Sequence, residues 1–268
     1  MLHNTHLLIT HGSQNARVQA SASALAERIS LTLNSTCALQ DCLPHTSGQP
    51  CHQVFHAVLE GGTAPLEQQI VEFAQQARRQ GLDRLQLLPL FLIPGVHVME
   101  DLPQAVARAQ QQLAIEDPSF NLSTLPYLGH LLQQHPNTLQ DWGVAHQTTR
   151  VFLSHGSRRS DSREVCEAFA QKMGAVPAYW SIEPSLTQTI EQLFTAGHSE
   201  IQVLLYFLFS GGITDAIAAS LRELEATYPS LKLTCKPTLD QLSDFPSFIA
   251  AVLQNSAVSS QSYATATR

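Results

Sequence analysis

Three side chains in this chain could share one metal ion: His11, Glu60 and His97. Each closes an apolar run that reads as a buried strand. His6 to Thr10 precedes His11, Gln53 to Glu60 carries Glu60 at its end, and Leu85 to Ile93 leads through Pro94-Gly95 to His97. In a parallel sheet the carboxyl ends of the strands lie on one edge, where open α/β sheets place their ligand crevices. Two imidazoles and a carboxylate suit a first-row divalent cation. The same groups suit general-base work, because histidine titrates near neutral pH. The plainer alternative is that each histidine only hydrogen-bonds within its turn.

Strands and helices alternate around these residues. Val18 to Leu33 repeats apolar residues at helical spacing, and Cys37 to His52 contains Pro44, Gly48 and Pro50, which predict an irregular segment. Pro65 suits the first turn of a helix from Leu66 to Gln80, which Gly81 closes. A helix from Pro103 to Ile115, a strand from Leu122 to Leu125 and a helix around His130 to Trp142 follow. Nine-residue Leu85 to Ile93 is too short to span a bilayer and reads as a strand buried on both faces.

After a polar joint at Gly143 to Arg150 the chain begins again. Val151 to Ser157 (VFLSHGS) repeats Leu7 to Ser13 (LLITHGS), and Gln202 to Phe209 followed by Ser210-Gly211-Gly212 repeats Gln86 to Ile93 followed by Pro94-Gly95-Val96. The chain therefore reads as an internal duplication of a βαβαβα unit, with right-handed crossovers. The expected layout is an α/β fold of two tandem flavodoxin-like lobes with parallel sheets, residues 1–143 and 150–255, then a disordered tail, 256–268. Aligning Phe91-Leu92 with Phe207-Leu208 sets Ile213 opposite His97. Aligning the Pro65 and Pro184 turns sets Ser181 near Glu60. The first half thus holds all three candidate residues, and the second keeps only His155.

The 268 residues carry a formal net charge of -7, with 44% hydrophobic and 14% charged residues. That acidic balance argues against a nucleic-acid or anionic-membrane partner. No basic leader and no run of about 20 apolar residues occurs, so a cytoplasmic location is expected. Five cysteines do not form a secreted disulfide framework. Cys37, Cys42 and Cys51, with His45 and His52, match no metal-clip spacing and read as free loop thiols. His11 and Ser13 lack the nucleophile elbow of a hydrolase. Gly12 and Gly61-Gly62 lack nucleotide-loop spacing. His3, His6, His130, His135, His146 and His198 read as surface residues.

The segments LLITHGS, AVLEGGTAPLEQQI and LPLFLIPGVHVMEDLP resemble those of the sirohydrochlorin chelatases, the class II, CbiX/SirB-like tetrapyrrole chelatases. The likeness covers most of Leu7 to Ala107 and, more loosely, Val151 to Leu224. It implies the two-domain form, with lobes facing each other across a tetrapyrrole cleft. It further implies ATP-independent insertion of Co²⁺ or Fe²⁺ into sirohydrochlorin, towards cobalamin or sirohaem. No cofactor beyond the substrate metal is implied, and a monomer or homodimer would serve. His11, Glu60 and His97 match the family's metal-handling positions. The substrate's many carboxylates call for cations and N–H donors. Ser13, Arg17, His155, Ser157 and Arg158, at or after the two HGS turns, are the candidates, with Arg159 and Arg163 near them. The alternative function is a non-catalytic carrier of metal or tetrapyrrole.

Overall fold

The computed structural model describes residues 4–39, 51–135, 139, 142 and 148–255. The first half contains β1 (Asn4–Thr10), α1 (Ala16–Leu39), β2 (His52–Val58), α2 (Leu66–Arg79), β3 (Arg84–Pro89), a π-helical turn (His97–Asp101), α3 (Leu102–Glu116), β4 (Asn121–Thr124) and α4 (Leu128–Gln134). The second contains β5 (Thr149–Ser154), α5 (Ser160–Lys172), β6 (Val176–Tyr179), α6 (Leu186–Thr195), β7 (Glu200–Leu205), α7 (Gly212–Thr227), β8 (Lys232–Cys235) and α8 (Phe245–Asn255). Two parallel four-stranded sheets result, ordered β2-β1-β3-β4 and β6-β5-β7-β8. Among the described residues no helix is long and apolar enough to cross a membrane.

The central strands β1, β3, β5 and β7 are largely apolar because each sheet is covered on both faces. Alternation along β1 sends Leu7 and Ile9 to a core shared with Ile70, Leu87 and Leu102, on the side of α2 and α3. Leu8, between them, faces the opposite way. The second sheet repeats this: Val151 and Leu153 join Ile190, Val203 and Ile217, while Phe152 faces away. The two away-facing sides meet. Leu8, Leu25 and Leu88 of one half share a single apolar cluster with Phe152, Phe169, Tyr206 and Phe248 of the other, and Trp142 is fully buried within it.

Several sequence expectations change. The helix expected over 18–33 extends from Ala16 to Leu39. The strand expected to run to Ile93 ends at Pro89. Beyond it the backbone carbonyls leave the sheet for new partners: Phe91 O accepts from Gly129 N at 2.9 Å. Leu92 O accepts from the Tyr206 hydroxyl at 3.1 Å, and Pro94 O accepts from the Ser162 hydroxyl at 2.5 Å. Gly129 packs so closely on Leu92 that an added Cβ would lie 1.8 Å from its carbonyl oxygen. The helix expected from Pro103 is preceded by the π turn, so His97 sits on a helical turn and not on a free strand end. The helix expected around 130–142 is the shorter α4.

His6 is not a surface residue. It is 1% exposed, with Nδ1 3.0 Å from Gln86 Oε1 and Nε2 3.0 Å from Nδ1 of buried His52. Its place in β1 next to both β2 and β3 gives its ring two strand neighbours, and desolvation first, then His52, pushes its pKa down to about 3. His3, Cys42, His45, His146 and the 256–268 tail lie outside the described residues, as does the side chain of Cys37. Cys51 is a free thiol.

Candidate metal centre

The first HGS turn and Glu60 are built against each other. After β1 and β2 end side by side, Leu59 N donates to Thr10 O and Glu60 N donates to His11 O, both at 2.9 Å. Gly12 adopts φ +99°, and a Cβ there would fall 1.9 Å from Glu60 O. Only glycine permits that approach. The third strand adds its own link, Leu90 N to Ile9 O at 2.7 Å, before the chain swings out through Pro94-Gly95 and returns in the π turn.

These connections bring His11, Glu60 and His97 together, each with one candidate ligand atom within 4.8 Å of the others. His11 Nε2 lies 4.0 Å from Glu60 Oε2, and His97 Nδ1 lies 3.8 Å from Glu60 Oε1. The imidazoles meet edge to face, with centroids 4.5 Å apart. All three side chains are one-third to three-fifths exposed, so a cation can reach them from solvent. Neutral imidazoles and a carboxylate are the donors that Co²⁺, Fe²⁺ and similar ions accept.

A cavity of about 260 Å³ opens beside His11. Thr10, Val58 and Leu92 line it from one half, Leu208 and Phe209 from the other. His56 also lines it, held by its Nε2 at 2.8 Å from the Thr10 hydroxyl. Burial lowers the His56 pKa, which keeps this imidazole neutral near pH 7. Sequence reading passed over His56, although its place four residues before Glu60 on β2 was the available signal, since alternate strand residues share a face. It also passed over Asp101, whose Oδ2 lies 2.8 Å from His97 Nδ1.

The structure does not gather the candidate substrate contacts at this cavity: Arg17, His155, Ser157 and Arg158 are absent from its lining. Ser13 lines the cavity, and its hydroxyl accepts from Asn15 N at 3.1 Å. Arg17, near the start of α1, forms a 2.7 Å ion pair across the cleft with Asp215 at the start of α7. His155 is exposed, its Nδ1 3.3 Å from the Ser181 hydroxyl. The Ser157 hydroxyl accepts from Arg159 N at 3.2 Å, Arg158 is exposed, and Arg159 pairs with Asp161 at 3.4 Å. Arg163 pairs with Glu167 at 2.8 Å.

Comparisons with known proteins bear on the family and the fold. The family model CbiX matches residues 5–133 and again 149–256. Sirohydrochlorin ferrochelatase of Bacillus subtilis (strain 168) is 22% identical over 241 residues, covering 85% of this chain and 83% of that one. The structure of SirB from Bacillus subtilis with Fe³⁺ superposes with a TM-score of 0.68 at 18% identity, covering 96% of both chains. SirB from Bacillus subtilis subspecies spizizenii in complex with cobalt gives a TM-score of 0.62, also at 18% identity and 96% coverage of both. With both halves matched by one family model, in the same order as the two sheets, the chain belongs to the CbiX family.

Proposed function

We propose that this protein inserts Co²⁺ or Fe²⁺ into sirohydrochlorin without ATP. The observation that carries the reading is the convergence of His11, Glu60 and His97 at the sheet edge, beside a cavity walled by both halves. At about 260 Å³ the cavity falls below the roughly 300–1,000 Å³ of sites that enclose a small ligand. It suits one edge of a macrocycle whose remainder lies in the open cleft.

Insertion exchanges two pyrrole protons for one divalent cation. In this reading His11 and His97 donate imidazole lone pairs to the ion and Glu60 balances part of its charge. As pyrrole nitrogens displace these ligands, each released side chain regains a lone pair and can accept a departing proton, so loss of a ligand and gain of a base coincide. Arg17 serves a substrate carboxylate by exchanging Asp215 for it. Because one chain supplies both walls of the cleft, a monomer is sufficient.

The test mixes purified protein, sirohydrochlorin and Co²⁺ or Fe²⁺ and follows the absorbance of the macrocycle. Acceleration over the protein-free rate is the expected result. Binding without acceleration would establish the carrier reading instead.

A further inference from the structure

The π turn does something that the second half does not repeat. In α7, which is α-helical throughout, the first buried positions, Thr214 and Ile217, are three residues apart. In the first half the corresponding buried positions, Val98 and Leu102, are four apart. The π turn His97–Asp101, in which Leu102 N donates to His97 O, delays the second buried position by one residue, after which the two stripes realign at Ala105 and Leu221. Single π turns of this kind are rare and occur frequently at functional sites. Here the bulge takes Asp101 off the buried stripe and sets its carboxylate beside the His97 ring.

We propose that Asp101 is the positioning residue for His97: it accepts the Nδ1–H, fixes the ring's orientation, and leaves Nε2 as the lone-pair nitrogen for the metal. The 2.8 Å contact between Asp101 Oδ2 and His97 Nδ1 is the shortest that His97 makes with a carboxylate. Glu60, at 3.8 Å from the same nitrogen, is too far to compete for that proton. Asp101 stands outside the close-set group of His11, Glu60 and His97 and joins it through His97. A histidine that ligates a metal through one nitrogen and donates the other to a carboxylate is a recurrent arrangement, because the carboxylate selects the tautomer and holds the ring. The second half supports the assignment by what it lost. Where the first half has His97 followed by the bulge, the second has Ile213 and a regular helix, so ligand and bulge are absent together.

This inference rests on the metal-handling role of His97, and its test needs no tetrapyrrole. The Asp101 side chain is 46% exposed, so its replacement leaves the core intact. In ¹⁵N-histidine-labelled protein, two-bond ¹H–¹⁵N spectra should show the Nδ1–H tautomer of His97 in the wild type and in Asp101→Asn, whose amide oxygen still accepts. Asp101→Ala should shift it towards the Nε2–H tautomer. Titration with Co²⁺ alone should show affinity falling about 10- to 100-fold in Asp101→Ala, the usual cost of losing an outer partner of a metal ligand. Asp101→Asn should lose less than about tenfold. The proposal is overturned if Asp101→Ala keeps both the tautomer and the Co²⁺ affinity. It is equally overturned if Asp101→Asn weakens Co²⁺ as much as Asp101→Ala, since charge and not position would then be the contribution. A protein that passes this test and yet fails to accelerate insertion would refute the chelatase reading and leave the role of Asp101 standing.

Discussion

The two halves share a backbone and differ in what it carries. Glu60 N donates to His11 O at 2.9 Å, and Ser181 N donates to His155 O at the same distance. Leu90 N donates to Ile9 O at 2.7 Å, and Tyr206 N donates to Leu153 O at 2.9 Å. These paired bonds set Ser181 at the place of Glu60 and Tyr206 at the place of Leu90. The strand ends that carry His11 and Glu60 in one half therefore persist in the other, where His155 remains and Ser181 stands in place of the glutamate. Tyr206 reaches over to the Leu92 carbonyl, and Ser162 to that of Pro94, so the second half grips the segment that leads into His97. One half presents donors, and the other holds the segment that presents them.

That comparison can be tested at several strengths. The largest expected effect is at the seam, where Phe152→Ala should cost about 3–5 kcal/mol, since Phe152 is fully buried in the cluster that the two halves share. Denaturant unfolding should then show one shifted transition; two separated transitions would mean that the halves are independent. Next, His97→Ala should lower metal insertion by at least about a hundredfold, exceeding the effect of losing an outer partner, while Ile213→Ala should leave the rate unchanged. Equal losses from the two would erase the distinction between the halves. A sharper version restores what the second half lacks. Ser181→Glu with Ile213→His should raise Co²⁺ stoichiometry, read by calorimetry, from about one to about two ions per chain.

Smaller effects follow from buried polar groups. His6 aligns with Arg150 in the repeat, which is also buried and donates to Trp142 O at 2.9 Å. Arginine keeps its charge throughout, whereas His6 stays neutral in the folded protein down to about pH 3 and titrates near 6.5 when unfolded. Between those values the unfolded chain binds the extra proton. Stability is therefore fully present above pH 6.5 and falls as the pH drops towards 3, by about 2 kcal/mol between pH 6.5 and 5. His6→Gln should remove that slope in denaturant titrations at the two pH values, and an unchanged slope would contradict it. The smallest effect expected is for Tyr206→Phe, about 1 kcal/mol for one hydrogen bond, with weaker Co²⁺ binding at the distant His97. Co²⁺ affinity equal to wild type would confine Tyr206 to packing.

The parts of this picture that sequence reasoning reached are those that depend on local pattern. Apolar runs ended by His11, Glu60 and His97 announce strand ends, and a parallel sheet collects such ends whatever the loops do. The repeat made Ile213 and Ser181 visible as departures. What escaped depends on partners far away in the chain. A histidine inside an apolar strand gives no sign of its neighbours, so His6 read as surface until Gln86 and His52 were placed on either side of it. The early end of β3 follows from bonds to Gly129, Ser162 and Tyr206, two of them in the other half. Arg17 read as a free cation, yet its counter-ion Asp215 lies 198 residues away. The π turn was hidden because Ala105 keeps the register that Leu221 has in the second half, so the apolar spacing of α3 stays intact.

The seam has a consequence for how such a chain can change over generations. Arg28 of α1 donates to the backbone carbonyls of Asp240 and Leu242, and α8 lays Phe248 and Ile249 into the same cluster as Leu25 and Ile29. Neither half could be discarded without baring the surface that the other covers. Substitutions at the second half's strand ends, by contrast, meet mostly solvent. The second half is thus obliged to stay and at liberty to vary, which makes its strand ends the natural ground on which this protein could acquire a different ligand.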